Sequence, residues 1–437
     1  MSWKDTEKIN PNNPESRETA CVHPWEWYSI DLGFGMFRCC PRQSYRPIET
    51  GAVQFNNHEH LQDVRHALVK GIQHPSCNDC WQSEAAGNKE LSYRTLFKSN
   101  YWPERGVDVI KQRAPKWVEV KFSNLCNIKC LTCYPICSSL WEEDIGITPE
   151  MQTIMNTAQD PNDTKKQFFD WVKEHYNDIQ CFQLFGGEVV LHPEFYPLLD
   201  LVLDAPKNAT KKQISYSTNG YWPGKFKDKH YEYVQRLLDA GHTVFVRFSI
   251  DGIGEQGEYI RDNLVWDKFA DNFKDFYNQF WGHPRITRMR CNIALSILNL
   301  LYLDTICQWL TEEVPGVVPH YNFVSKPDQF YMMHWGTKLK IIRDLIARQD
   351  YGKFDEYHQH VINLCDHYSN NEPNYEHIKT LRKTLQEHDI KKDVKYFDLF
   401  PKNRILFTGI EDDDSKRPII PASNKTLIIE NGIKSWI

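Results

Sequence analysis

The 437-residue sequence has no apolar run of the roughly 18 residues that a membrane-spanning helix needs, so a helical membrane protein is not expected. Its first 18 residues, MSWKDTEKINPNNPESRE, are polar and lack the apolar h-region of a secretory signal. Cytoplasmic localisation is the expectation. Basic charge is not in excess either: 52 Lys and Arg stand against 58 Asp and Glu, a formal net charge of -6. That balance argues against nucleic acid as a partner for the surface as a whole, although it leaves room for a local basic groove. There is no internal repeat and no low-complexity segment. What is present is a globular composition, 41% hydrophobic and 25% charged, enough for a sizeable core. Length alone suggests two or three domains.

Thirteen cysteines in a chain without a visible signal point to metal ligands or redox groups rather than disulfides. They are unevenly spread. Cys21, Cys39, Cys40, Cys77 and Cys80 fall in the first 80 residues, and Cys126, Cys130, Cys133 and Cys137 within twelve positions. Cys181, Cys291, Cys307 and Cys365 are scattered and read as small core residues.

Four regions follow from the texture of the chain. Residues 1–20, rich in Pro, Asn and charge, read as a flexible leader. Residues 21–110 hold the first cysteine group. There, Leu61, Val64, Leu68 and Ile72 have helical spacing, with Gly71 placed to cap the end. Residues 111–330 alternate short β-rich runs with longer amphipathic stretches. The strands are WVEVKFS, IQCFQLFGG, QISYSTNG, TVFVRFSIDG, MRCNIALSI and PHYNFVS. Strands separated by helices make parallel βαβ units, so the fold class is α/β. Six of them predict a partial (β/α)6 barrel of the TIM type rather than a closed eight-stranded one. Residues 331–437 read as a helical extension, then an acidic run, EDDDSK, and a short terminal hairpin.

The segment FSNLCNIKCLTCYPIC directly follows the first of these strands, with Cys126, Cys130 and Cys133 spaced four and then three apart. A cubane iron–sulfur cluster normally takes four thiolates. Three on one short loop leave a metal position open for a small molecule. Two blander readings exist. One is a helix with three cysteines on one stripe. The other is a structural zinc site with Cys137 as fourth ligand. The flanking polar residues, Pro135, and the position at a strand's carboxyl end, where α/β barrels place their chemistry, favour the open cluster.

CNIKCLTC resembles the CxxxCxxC signature of the radical SAM superfamily. The resemblance implies a [4Fe–4S] cluster whose unique iron is chelated by S-adenosylmethionine. It also implies reductive cleavage of that molecule to a 5′-deoxyadenosyl radical, which abstracts hydrogen from a substrate. Thr132 stands where an aromatic residue often precedes the third cysteine, and Tyr134 follows it instead. Later segments match the family in order. Gly186, Gly187 and Glu188 resemble its GGEP motif at the SAM amino group, with Val189 in place of proline. Ser217 and Asn219 lie in STNG, similar to TNG endings near the SAM site. Ser249 and Asp251 lie in SIDG, similar to the ribose-binding strand, and Arg261 resembles a residue that meets the SAM carboxylate. In isolation Arg261 reads equally as a surface arginine on a helix. The fifth strand offers Ser296 and Asn299, without the glycine-containing adenine motif of some relatives.

The first cysteine group contains a CxxC knuckle, Cys77 and Cys80, and a run, IDLGFGMFRCC, that reads as a β-hairpin with glycines in its turn. The hairpin would bring Cys21 close to Cys39 or Cys40. Four thiolates on separate turns describe a closed site for zinc or a fully ligated cluster. This pattern resembles the auxiliary-cluster region of twitch and SPASM radical SAM proteins, which implies a second [4Fe–4S] cluster here, with zinc as the alternative. Relatives of that kind often modify peptides or proteins, so a peptide or protein substrate is expected, with a nucleotide, sugar or small metabolite second. An electron donor such as flavodoxin or ferredoxin is implied as partner. The 14 Trp and 21 Tyr are mostly packing residues. A reading of another class, a non-enzymatic zinc-binding interaction protein, accounts for the cysteines but not for GGE, STNG and SIDG at successive strand ends.

Overall fold

The computed structural model describes residues 19, 21, 23–40, 46–47, 58–85, 92, 94, 114–149, 151–153, 161–324, 330–407, 427–430 and 433–436. Most of the leader, the residues after Val324 in the sixth segment and the EDDDSK run lie outside them. The strands are β1 (Trp27–Asp31), β2 (Met36–Arg38), β3 (Arg46–Pro47), β4 (Trp117–Lys121), β5 (Lys129–Cys130), β6 (Cys181–Phe185), β7 (Gln213–Thr218), β8 (Thr243–Ser249), β9 (Arg261–Asp262), β10 (Ile286–Leu295), β11 (Val318–Phe323), β12 (Leu427–Glu430) and β13 (Ile433–Trp436).

One nine-stranded sheet dominates, in the order β11-β10-β8-β7-β6-β4-β1-β2-β3. All six expected strands are present in sequence order as β4, β6, β7, β8, β10 and β11, each parallel to its neighbour. The sheet exceeds the expectation at one edge. β1 pairs in parallel with β4, from Trp27 opposite Trp117 to Asp31 opposite Lys121. β2 returns antiparallel to β1, so the expected hairpin exists, but it extends the same sheet. The first cysteine group is thereby built onto the edge of the βα unit.

The helices that connect the parallel strands are Pro161–Glu174, Phe195–Leu203, Gly224–Asp239, Trp266–Phe280 and Leu303–Glu313. They cover only one face. Along β4, β6, β7 and β8 every second residue is apolar and fully buried: Val118 and Val120, Phe182 and Leu184, Ile214 and Tyr216, Val244 and Val246. These join Phe168, Leu198, Leu237 and Phe273 from the helices in one core. The alternate residues, Glu119, Gln183, Ser215, Ser217, Arg247, Ser249 and Asn292, are polar and point the other way. Parallel strands buried on both faces read as nearly continuous apolar runs. These instead alternate, so the opposite face of the sheet is a polar surface.

In the first region the helix runs Glu59–Val69 and buries Leu61, Val64 and Leu68 as expected. Ile72 does not join them, being 54% exposed beyond the helix end. Gly71, at φ 76°, lets the chain turn so that Gly71 N–H meets Leu68 O and Ile72 N–H meets Ala67 O. The C-terminal extension is helical at Leu339–Ile346, Asp355–Tyr368 and Tyr375–Lys392, and β12 and β13 form the terminal hairpin. Among the described residues no helix is long and apolar enough to cross a membrane.

Candidate active site at the strand ends

The chain leaves β4 through Phe122–Leu125 and enters the cysteine loop, which from Cys126 to Cys133 is not a helix: its regular piece there is β5, paired with β9, and a 3-10 turn follows at Pro135–Cys137. This removes the reading of three cysteines on a helical stripe. Cys126 is buried, Cys130 and Cys133 are half-buried, and the three thiols sense one another. Burial, then Cys130, pushes the Cys126 thiol up to about 12. Burial pushes Cys130 up to about 11, with Arg261 opposing. Cys137 lies beside Cys133 and shares a hydrogen bond with it. That bond pulls Cys137 down to about 6 and raises Cys133, which burial, Cys137, Cys130 and Cys126 raise further. Three thiols gathered on one loop are costly to ionise together, and a bound cluster's positive charge would offset that cost. The donor set therefore fits an iron–sulfur cluster.

The surrounding loops hold this one in shape. Trp141 Nε1 donates to Cys130 O at 2.8 Å, and Cys126 N donates to Ser139 Oγ at 3.2 Å. From the end of β6, Glu188 N donates to Leu125 O at 2.8 Å. Gly187, at φ 55°, makes that contact possible, because a Cβ there would lie 2.0 Å from Leu125 O. The close approach that requires glycine in this motif is thus to the cysteine loop itself. Gly186 presses in the same way on Lys121, 2.3 Å from a built Cβ.

Glu188 is fully buried and its carboxylate is well occupied. Thr218 Oγ1 (2.7 Å), Asn219 N–H, Trp222 Nε1 (3.2 Å) and Val190 N–H (3.3 Å) all donate to it. It ties the β6 end to the β7 end. Asn219 continues the tie by donating to Asn127 Oδ1 at 2.7 Å and lies 3.9 Å from Cys126 Sγ. Ser217 is half-buried and accepts from Asn292 Nδ2 at 3.3 Å.

Arg261 is not a surface residue. It is 2% exposed, sits in β9 opposite Cys130, donates from Nη1 to Ser249 O, and its Nε lies 3.8 Å from Asp251 Oδ2. That Nε is buried without a hydrogen-bond partner among the described residues. Asp251 accepts from Ala294 N at 2.7 Å, joining β8 to β10. Ser296 is fully buried; its hydroxyl accepts from Leu298 N–H and closes the turn after β10. Asn299 donates to Asp251 O and Ala294 O, both at 3.1 Å. Ser249, half-buried, stands beside them. The cysteine loop and the ends of β6, β7, β8 and β10 thus converge on one mouth.

A second group forms where the helix Asn78–Ala85 meets the hairpin. Cys21, Cys40, Cys77 and Cys80 line one cavity together with Ser76 and Arg94. Cys39 is buried but does not line it. Burial, then Cys40, raises the Cys21 thiol well above its usual range, with Cys77 and Cys39 adding. Arg65 fixes the approach of Cys21 by donating to Pro24 O at 2.8 Å and to Tyr28 Oη at 3.0 Å. Arg94 pairs with Glu84 and stacks 4.4 Å from the Trp81 ring centroid. Among the described residues no three His, Cys, Asp or Glu side chains are drawn together as one metal ion requires. The scattered Cys181, Cys291, Cys307 and Cys365 are core residues, as expected.

Sequence reasoning missed the polar face of the sheet. Its signal was legible as alternation in VEVK, CFQLF, ISYST and FVRFS.

Residues 120–281 match the family model described as the Radical SAM superfamily. No curated protein matches. Among solved structures, hexahistidine-tagged anSMEcpe with bound AdoMet is 16% identical over 57% of this chain and 62% of that one, with a TM-score of 0.37. Native anSMEcpe with bound AdoMet is 17% identical with the same coverage and TM-score. Native anSMEcpe with bound AdoMet and Cp18Cys peptide is 16% identical over 59% and 63%, with a TM-score of 0.36. The chain spans about three fifths of the length of these structures.

Proposed function

We propose that residues 120–281, which match the Radical SAM superfamily, form a radical SAM domain, that the chain is accordingly an enzyme, and that Cys126, Cys130 and Cys133 hold its [4Fe–4S] cluster. The observation that carries the assignment is the placement of all three cysteines on one loop at the strand-end mouth, with Cys126 against Asn219 and Cys130 opposite Arg261. When bound, the cluster supplies the electron that cleaves S-adenosylmethionine to a 5′-deoxyadenosyl radical. The protein's part is positioning. Gly187 and Glu188 lock the loop from β6, and Asn219 braces Cys126 from β7. Arg261, with an unpartnered Nε beside Cys130, supplies the cation for the SAM carboxylate. Ser217, Ser249 and Asp251 line the path for the nucleoside, while Gly186 and Ser296 shape its walls. The substrate is a peptide or protein, with a nucleotide, sugar or small metabolite as the second reading. A flavodoxin or ferredoxin delivers the electron, in a reducing cytoplasm.

The test is anaerobic reconstitution with iron and sulfide, then reduction with SAM present and chromatography of 5′-deoxyadenosine. Release by the native chain and none from Cys126→Ala, Cys130→Ala or Cys133→Ala is expected. Native protein with an intact, reducible cluster and no 5′-deoxyadenosine refutes the assignment.

The cavity of Cys21, Cys40, Cys77 and Cys80 is the place for a second [4Fe–4S] cluster. Its lining supports Cys40 over Cys39. A full complement is about four irons per cluster. Iron for one cluster only, with zinc present, assigns the cavity to zinc instead.

A further inference from the structure

On the polar face of the sheet, three neighbouring strands present basic side chains that the cysteine loop does not use. Arg247 on β8 stands opposite Arg290 on β10, and Arg288 stands one pleat further down. His320 on β11 is opposite Asn292. Adjacent strands are about 4.8 Å apart, and like charges directly opposite each other destabilise a sheet. Both guanidinium groups lie against the same ring: Arg247 Cζ is 3.9 Å and Arg290 Cζ 5.6 Å from the Phe245 centroid. Arg247 also donates to Ser215 Oγ at 3.0 Å. Both arginines are half-buried, and His320 reaches solvent.

The local field is positive. Desolvation, then Arg290 and Arg247, hold the His320 imidazole down at about 4. Among the described residues no carboxylate lies within ion-pair distance of Arg288, Arg290 or His320. Glu119, on the same face, is held by Ser29 (2.7 Å), Gln183 (2.9 Å) and Arg38 (3.5 Å); it also feels Arg247, and Arg290 is not among the leading charges acting on it. Ser249, at the mouth, is two residues beyond Arg247 on the same strand face, about 7 Å along it. A group held by the arginines would direct the rest of its molecule toward the strand ends.

We propose that Arg247 and Arg290 form the recognition site for an anionic group of the substrate, a carboxylate or a phosphate. The planar guanidinium forks match both oxyanions. The proposal deepens the radical SAM reading and rests on it for the word substrate, but the site itself is testable without turnover.

The experiment is calorimetric titration of the full-length, cluster-loaded chain with inorganic phosphate and, separately, with succinate. One site per chain is expected. Arg247→Gln and Arg290→Gln should each weaken it about tenfold or more, the loss of one charge-assisted contact. Arg290→Lys keeps charge and loses the fork, so it should fall between. Lys340→Gln, on an exposed helix position, should match the native chain. Tighter binding of phosphate points to a phosphorylated substrate, and tighter binding of succinate to a carboxylate. Thermal unfolding identifies a variant that merely fails to fold, in which case Arg290→Lys decides. No binding of either anion by the native chain, or equal binding by the folded arginine variants, overturns the proposal. Anion binding intact with no 5′-deoxyadenosine formed would refute the radical SAM assignment instead.

Discussion

His192 and His230 are each buried to within about a hundredth of their surface, and desolvation holds both imidazoles at about 3. An unfolded histidine titrates near 6.5. Between those values the unfolded chain binds protons that the native one refuses, so stability rises with pH through that window and is complete above it. Acidifying from pH 7 to 5 should therefore lower the unfolding free energy, read from urea titrations, by up to about 1.4 kcal/mol per pH unit per histidine at the steepest. His230→Gln retains a partner for Tyr216 Oη, now 2.8 Å from His230 Nε2, and should make that slope shallower. An unchanged slope would mean the burial of His230 carries no titration penalty. Gly187→Ala meets two obstacles, a left-handed backbone and the Leu125 carbonyl. The expected loss is about 3 kcal/mol in thermal unfolding, together with impaired cluster retention. Native-like stability in that variant would contradict the close approach described for it.

At the level of elements, the C-terminal helix Tyr375–Lys392 grips the cysteine loop through β9. Asp262 lies 2.6 Å from Lys392, 3.6 Å from Lys391 and 3.9 Å from Lys129. Tyr259 Oη donates to Asp389 at 2.6 Å, and His388 Nε2 lies 3.0 Å from Tyr259 O. Burial works against ionising Asp262, but Lys392 and its neighbours hold its carboxyl below the usual range. Asp262→Asn should cost about 2 kcal/mol, since it strands these lysines at a partly buried junction. It should also hasten cluster loss after reconstitution, read as decay of the cluster's visible absorbance. Unaltered decay would leave the helix a packing element only. This grip was not legible in the sequence, because Lys391 and Lys392 look like any charged helix end and their partner is more than a hundred residues away. The strand order was legible, since each strand carries its own β-rich run and turn. β1 was read as one arm of a hairpin because its long-range parallel partner leaves no local mark. Arg261 was ambiguous for the same reason: a sequence shows the residue, not the burial.

For the whole molecule, the main consequence is that both cysteine groups share one sheet, the first at the β1 edge and the second beyond β4. Cys40→Ala and Cys39→Ala should therefore separate cleanly. Cys40→Ala is expected to lose the metal proposed for the first cavity while keeping the cluster proposed for Cys126, Cys130 and Cys133. Cys39→Ala is expected to keep both, by iron and zinc analysis of the purified chain. Equal losses in the two variants would place Cys39 at the site as well. The stretch that matches the Radical SAM superfamily contains the cysteine spacing and the strand-end motifs from which the resemblance was read. The use made of Glu188 was not, since a carboxylate that ties two loops and one that faces a ligand look alike in sequence.

The helices supply an oily backing to one side of the sheet, and the other side is a polar wall of Ser, Asn, Gln and Arg. Folding free energy is therefore concentrated away from the wall that a substrate would touch. Replacements at the half-buried Ser217 or Asn292 can redraw that wall with little threat to the scaffold, so a lineage built on this frame is free to change what it acts upon without first having to stabilise itself.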